Sequence, residues 1–354
     1  MHKITLGDVA KEFKDTYKGS KLGMPVVGLE HLAPQEMKLT SWDDNKDNTF
    51  TKTFRKGHVL FGRRRAYLRK AAVAPFDGIC SGDITVIEAI PSKIVPELLP
   101  FIIQNDIFFD FAVGKSAGSL SPRVKWEHLK EYEFMLPSIE AQKNLSEILW
   151  AFQDTKERYK KLLTATDELV KSQFIEMFGN VFHEELKWDK KHFEEVFNDE
   201  TRYGTKILAE DYLDSGTYPI IDQGQSYIGG YSNNRVGIYE NLPAIVFGDH
   251  TRILKYVDKP FFLGADGVKL LKSNLNDVNH LFLYSQLQLA PIANTGYNRH
   301  YKHLKILNII LPPIELQNQF AAFVVQLDKS KFALLQNIEN LEQCRNALMQ
   351  KSFG

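Results

Sequence analysis

A Leu-Pro-x-Ile-Glu-x-Gln string occurs twice in this chain, running from Leu136 to Gln142 and again from Leu311 to Gln317. The copies lie 175 residues apart. The same offset carries Phe178 onto Phe353, where the two following stretches both stop at Phe-Gly. A self-match at fixed offset dictates architecture before any local reading does. The chain is a duplication, and each half consists of a mixed segment followed by about forty residues of helical pattern.

A length of 354 residues suits two to four structural units, and 44% hydrophobic with 25% charged residues falls in the soluble globular range. The longest apolar runs, such as Leu98 to Ile103, are too short to span a bilayer. The N-terminus lacks the apolar core of a secretory signal. Cys80 and Cys344 lie in non-equivalent places, which favours reduced thiols and a cytoplasmic location. Net charge is zero, but charge is unevenly spread. No acidic residue occurs from Asn48 to Phe76, whereas Lys52, Arg55, Lys56, Arg63, Arg64, Arg65, Arg69 and Lys70 are all basic. Residues 1–137 carry 20 basic and 17 acidic groups, and residues 180–313 carry 14 and 16. A polyanion site must therefore be local.

The repeat divides the chain into residues 1–137, 138–179, 180–313 and 314–354. In the first segment an amphipathic piece from Leu6 to Phe13 precedes short strands at Val26–Leu29 and Val59–Gly62. A polar insert spans 43–48. A strand pair is expected at Ala71–Ala74 and Ile84–Ile87, and Pro96 to Gly114 reads as one helix beginning near Pro and ending at Gly. Residues 180–313 replay this order, with strands at Tyr218–Ile221, Ala244–Gly248 and Gly267–Leu271. Gly229-Gly230 and Gly264 read as turns, and a helix is expected from Asn279 to Ala290. Gly-punctuated short strands around a single helix indicate an α+β globule in each half.

The helical segments carry a heptad-like signal. Phe320, Val324, Leu327, Leu334, Ile338, Leu341 and Leu348 follow alternating spacings of four and three, with Lys331 and Arg345 in the two gaps. Leu149, Phe152, Tyr159 and Leu163 hold the matching places in the first copy, continuing more loosely through Thr166 and Val170. This is the pattern of a helix packed lengthwise on another helix. Forty residues at about 1.5 Å per residue make a rod of roughly 60 Å. Each rod has no other partner of its own length, so the two should pack on each other. A connection through a globule permits an antiparallel pair with a globule at each end. The competing reading, an ordinary helix lying on a domain, is disfavoured by two matching copies.

Two globules alternating with two long matching helices resemble the specificity subunit of type I restriction–modification systems. The resemblance spans essentially the whole chain. It is carried by the paired Leu-Pro-x-Ile-Glu-x-Gln strings and by Val59 to Lys70 with Cys80-Ser81-Gly82-Asp83. In the second half it is carried by Phe247-Gly248-Asp249-His250-Thr251 with Gly264-Ala265-Asp266-Gly267. It implies an α+β fold of two pseudo-repeated target-recognition globules separated by two long helices packed as an antiparallel coiled coil. It further implies a non-catalytic reader of double-stranded DNA, each globule recognising half of a bipartite site while the helices set the spacing. The implied partners are methylation subunits, two in number, and restriction subunits. S-adenosylmethionine, ATP and Mg2+ would belong to those partners, and this chain would carry no cofactor.

The candidate DNA-binding residues follow from chemistry. Arg63, Arg64, Arg65, Arg69 and Lys70 come after a strand ending at Gly62. If that strand continued, Arg63, Arg65, Tyr67 and Arg69 would share a face. Guanidinium groups pair with phosphate oxygens or bidentately with guanine edges; the competing reading is a solvated basic edge that blocks aggregation. Ser121, Arg123 and Lys125, with Ser119, form a small polar and basic loop, and Asn298, Arg299, His300 and Tyr301 are its rough equivalents. Such loops suit phosphate clamping with base-edge probing, or are simple turns. His250, Thr251 and Arg252, after Asp249, suit hydrogen bonding in the fold or to DNA. No nucleophile elbow, paired carboxylates, Asn-Pro-Pro-Tyr string or phosphate-binding glycine loop accompanies them, so no catalytic residue is assigned. His300 and His303 lack the Cys or His partners of a zinc site, and no metal is expected. The competing function classes are a stand-alone methyltransferase or nuclease, and a coiled-coil protein scaffold with no DNA role.

Overall fold

The computed structural model describes residues 2–44, 48–182, 186–294, 296 and 298–353; residues 45–47 of the polar insert and Gly354 lie outside the described residues. The chain forms two compact units, residues 1–160 with 335–354, and residues 161–334. The long helices Ile139–Phe178 and Ile314–Phe353 each contribute to both.

In the first unit an antiparallel sheet runs in the order Ala10–Glu12, Ile84–Ala89, Val59–Gly62, Ala71–Val73. Val59–Gly62 is buried along its whole length, as its unbroken apolar run requires of a strand covered on both faces. The expected pairing of residues 71–74 with 84–87 does not form; both strands flank Val59–Gly62 instead. A second sheet has the order Asp43–Asp44, Pro25–Val27, Gly78–Cys80, Lys52–Phe54. His2–Thr5 pairs with Glu133–Leu136 as a two-stranded ribbon that brings the globule's entry beside its exit. The amphipathic opening is one helical turn, Leu6–Val9, with Leu6 and Val9 fully buried. The helix expected from Pro96 to Gly114 is broken into Leu99–Ile103 and Asp106–Gly114. Extended Asn105 caps the second piece by accepting the Ile107 N–H at 3.0 Å. The Gln104 side chain is diverted to donate to the Glu36 carbonyl at 2.7 Å.

The second unit repeats the first sheet strand for strand as Phe197–Asp199, Val268–Ser273, Ala244–Gly248, Leu254–Val257. Its other sheet diverges. An edge position held in the first unit by antiparallel Lys52–Phe54 is held here by Lys206–Ile207, which runs parallel to Phe262–Gly264 and comes from an earlier part of the globule. Gly230 is not in a turn: Gly230–Ser232 pairs with Tyr218–Ile221 as a strand. Gly264 ends a strand, where a Cβ would lie 2.4 Å from that of Asp222, so the chains approach too closely for a side chain. A single helix, His280–Gln288, occupies the place of the broken pair.

The repeated string acts as a clamp. Buried Gln142 accepts the Val95 N–H at 2.9 Å and donates to the Pro137 carbonyl at 2.9 Å. Buried Gln317 accepts the Asn279 N–H at 2.9 Å and donates to the Pro312 carbonyl at 2.7 Å. One side chain thus ties the start of each long helix to the start of its globule's helical segment and satisfies groups that burial would leave unpaired.

Every heptad position named above from Phe320 to Leu348 is buried or half-buried, Lys331 and Arg345 included. In the first copy the seam continues past Leu163 through half-buried Thr166, Val170, Gln173 and Met177. Within the first unit Leu145 and Leu149 share a core with Met349 and Phe353, and Lys156 pairs with Glu342 at 2.5 Å. Within the second, Phe174 meets Phe320 edge-on at 5.2 Å and Lys331 pairs with Asp167 at 2.6 Å. In each unit rising numbers on one helix meet falling numbers on the other, so the pairing is antiparallel. Phe174, Phe178, Phe282 and Phe320 form one buried cluster, each ring contributing about 1.5–3 kcal/mol of burial. Cys80 is buried and Cys344 exposed, both as free thiols.

Candidate nucleic-acid interface

In the first unit the two candidate segments become one structure. Arg63 leaves the central strand with its N–H on the Asp83 carbonyl at 3.0 Å, and its own carbonyl accepts the Val124 N–H at 3.0 Å. Arg65 donates its N–H to the Pro122 carbonyl at 2.8 Å, and Arg64 bridges Arg123. The expected shared face of Arg63, Arg65, Tyr67 and Arg69 does not form. Arg65 (φ 54°) and Arg69 (φ 51°) are left-handed and bracket the short 3-10 turn Ala66–Leu68. The chain then doubles back, and the Gly62 N–H donates to the Lys70 carbonyl at 2.8 Å.

The run without acids is compensated in space. Asp83 accepts Arg123 Nε at 2.7 Å and Nη2 at 3.4 Å, and Arg64 Nη1 at 3.4 Å. Arg64 Nε also donates to Ser121 Oγ at 2.6 Å. The Arg123 hydrogen bond is the main reason the Asp83 carboxyl is held below its ordinary value. Arg69 is bound to Asp106 and, at 2.9 Å, to Asp110. Lys70 Nζ donates to the Leu29 carbonyl at 2.8 Å, Lys52 pairs with Glu12 at 3.1 Å, and Arg55 with Asp15 at 3.6 Å. Among the described residues, Arg65, Tyr67 and Lys125 are exposed without an ion pair, the guanidinium groups of Arg64 and Arg123 stay partly exposed, and Arg63 keeps a buried Nε without a hydrogen-bond partner. Lys52, Arg63, Ser81, Asp83 and Arg123 line an open cleft of about 620 Å³. Asp83 is a functional candidate that sequence reasoning misses. Only its place in the Cys80-Ser81-Gly82-Asp83 string hints at it, because its partners are distant in the chain.

The second unit builds the same frame with other side chains. The Asp249 N–H donates to the Gly267 carbonyl at 2.6 Å, and the Asp249 carbonyl accepts the His300 N–H at 2.8 Å. The carboxylate of Asp249 accepts the Tyr301 N–H at 2.7 Å. Gly248 pairs with Val268 where Gly62 pairs with Ile84. Arg63 thus corresponds to Asp249, Asp83 to Gly267, and Arg123 to Arg299. Gly267 has φ +62°, and a Cβ there would sit 2.5 Å from the His250 ring. Gln223, also missed by sequence, joins the pieces: its side chain accepts the His250 N–H at 3.3 Å and its carbonyl the Thr251 hydroxyl at 2.7 Å. Arg252 is left-handed, φ 64°, and its guanidinium donates to the Ile292 carbonyl at 2.9 Å. Of the second loop, Asn298 and Arg299 are exposed, but His300 and Tyr301 are buried. Tyr301 opens the helix Tyr301–Lys305 and lies beneath Lys269 Nζ at 5.0 Å; burial pushes its phenol up.

His300 Nδ1 already lies 2.9 Å from the Asp249 carbonyl. Glu30, His31 and Asp43 offer ligand atoms within 4.8 Å of one another. Of the His31 ring nitrogens, Nδ1 accepts the Gly28 N–H at 2.9 Å and Nε2 is 3.4 Å from Asp43. Among the described residues no helix is long and apolar enough to cross a membrane.

The family model described as "Type I restriction modification DNA specificity domain" matches residues 2–165 and again 185–343. The chain is 28% identical over 154 residues to the type I restriction enzyme EcoDI specificity subunit of Escherichia coli. It is 36% identical over 69 residues to the EcoR124I/EcoR124II specificity subunit of the same organism. These matches take in 39% and 19% of this chain, and 34% and 17% of those subunits. Over 98% of its length it is 23% identical to the MjaX type I restriction enzyme specificity subunit assigned to Methanocaldococcus jannaschii, covering 89% of that protein. Its fold is similar to a type I restriction–modification S subunit from M. genitalium (TM-score 0.60, 15% identity, 100% of this chain and 96% of that one). A chain from a structure on assembly of the type I R-M system is also similar (TM-score 0.54, 17% identity, 99% and 97%). With both halves matched and the same strand-and-loop frame built twice, the chain belongs to the family of type I restriction–modification DNA specificity domains and carries two of them.

Proposed function

We propose that the chain is the DNA sequence-specificity subunit of a type I restriction–modification complex, with each domain reading one half of a bipartite double-stranded target. The observation that carries this is the duplicated frame. In both units the turn after the central strand is zipped to a second loop, and each pair presents exposed Arg, with Lys or Asn beside it. Arg65, Tyr67 and Lys125, with the partly exposed Arg64 and Arg123 and with Arg63 in its cleft, would contact the first half-site; Asn298 and Arg299 would contact the second. Base edges and phosphates both suit these donors.

In this reading the chain itself is non-catalytic. It recruits two methylation subunits, which bring S-adenosylmethionine, and restriction subunits, which use ATP and Mg2+, in the cytoplasm. Apolar side chains left exposed on the long helices support docking there: Ile148 in the first unit, and Leu162, Leu169 and Phe332 in the second. The test is to purify the chain with its cognate methylation subunit and map adenine methylation on genomic DNA. A new split motif is expected; methylation without one would exclude the reading.

A further inference from the structure

We propose that Asp83 is a positioning residue that presets the Arg64 and Arg123 guanidinium groups for the first half-site, whereas the equivalent Arg299 reads the second without a carboxylate tether. The inference rests on the DNA-reading role above and goes beyond it by separating how the two halves are read. Asp83 sits at the junction of three segments, and its side chain is only 20% exposed. One of its oxygens holds Arg123 Nε at 2.7 Å, and the other lies 3.4 Å from both Arg123 Nη2 and Arg64 Nη1. Ser121 takes the remaining face of Arg64 at 2.6 Å. Both guanidinium groups remain partly exposed, at 39% for Arg64 and 44% for Arg123. They are oriented but not consumed.

An arginine already held in one rotamer loses less freedom on docking than a free one. The tether has an opposite effect on affinity. A carboxylate beside two arginines reduces the positive field that any phosphate backbone would feel, so it trades non-specific attraction for discrimination. Gly267 replaces Asp83 in the second unit, and its left-handed backbone with His250 pressed against it leaves no room for a carboxylate. Arg299 is exposed and has no carboxylate partner among the described residues.

The test compares wild type with Asp83→Asn, Asp83→Glu and Arg123→Lys, each as full chain purified with its methylation subunit. The probes are duplexes carrying the wild-type motif, single-base variants of each half-site, and unrelated DNA. For Asp83→Asn, discrimination at the first half-site should fall roughly tenfold, discrimination at the second should hold, and affinity for unrelated DNA should rise. Asp83→Glu should restore part of the loss. Loss of the charge raises affinity for unrelated DNA under either role. A merely structural role would lower the melting temperature of the complex together with discrimination, whereas loss of positioning lowers first-half discrimination alone. Unchanged discrimination in Asp83→Asn, or equal loss at both half-sites, overturns the proposal. Should Asp83→Asn unfold the first unit, Arg123→Lys decides: it keeps the charge but loses the fork, and intact first-half discrimination would overturn the proposal. If wild type itself selects no split motif, the failure belongs to the function proposed above.

Discussion

Arg63 and Asp249 occupy the same backbone position in the two units and carry opposite charge. Each receives the chain from a central strand ending in Gly, donates its N–H to the residue before the neighbouring strand, and accepts an N–H from the second loop. Arg63 lines an open cleft, whereas Asp249 turns its carboxylate inward to the Tyr301 N–H. A common frame therefore presents different chemistry in each half. Replacing Arg63 and Arg65 with Ala should weaken recognition of one half-site only, by roughly 1–3 kcal/mol for each base-reading side chain removed. Titration against duplexes altered in either half would show it.

Arg69 should behave differently. It is bound to Asp106 and Asp110 and is one-third exposed. Arg69→Ala should lower stability by about 0.2–1 kcal/mol per exposed pair and leave the motif unchanged. Denaturant midpoints alongside methylation mapping would separate this outcome from a reading role.

Gln142→Ala and Gln317→Ala should each destabilise their own unit. Each removes two hydrogen bonds and leaves a helix-start N–H and a Pro carbonyl unpaired, at about 1–3 kcal/mol for each buried group. Amide exchange at Val95 in one variant and Asn279 in the other should speed up selectively.

Stability should fall as pH drops below 6.5. His58 is buried against Phe13, its Nδ1 accepting the Arg55 N–H at 3.2 Å, and burial holds its pKa below 6.5. His280 in the second unit is lowered the same way, with Lys272 adding to the effect. The unfolded chain takes up these protons first, so the contribution is complete above pH 6.5 and is lost on descent toward the folded values. Asp83, held below 3.8, stays ionised through that window. Urea midpoints at pH 8 and pH 5 should differ in this sense, and His58→Gln should shrink the difference.

Adding one helical turn, about four residues, to both long helices should change the number of unread bases between half-sites and leave the half-site sequences intact. Methylation mapping of the lengthened protein reads both quantities at once.

The helices are the most legible part of the sequence, because Phe320 to Leu348 repeat apolar residues at a spacing that only a helix seam explains. The first helix is harder to read where Lys156, Thr166 and Gln173 occupy seam positions; an ion pair from Lys156 to Glu342 fills what an apolar residue would. The strands beginning at Val59 and Ala244 are readable from composition. The course of residues 63–70 is not, since left-handed Arg65 and Arg69 carry none of the Gly or Asn signal that marks such turns. Nor can the sequence show that Asp83, Asp106 and Asp110 neutralise much of a run with no acid of its own. Those pairs join positions far apart in the chain, as Arg69 with Asp110 and Asp83 with Arg123, and exist only once the loops are zipped. His300 and Tyr301 have the composition of loop donors, but the hydrogen bonds of Asp249 draw them inside.

The ribbon closing each globule has a further consequence. Lys3 pairs with Met135 across 132 positions and, in the second unit's matching ribbon of Lys190–His192 with Asn308–Ile310, Lys190 pairs with Ile310 across 120, yet the same string follows each exit strand. Each globule is a lasso tied at its neck: chain can be added or removed in the noose without moving the knot. The two nooses differ by twelve residues, one helix for two among them, and the same string opens each long helix regardless. If the globules read DNA and the rods set the spacing, as proposed above, changes of specificity and changes of spacing can accumulate independently.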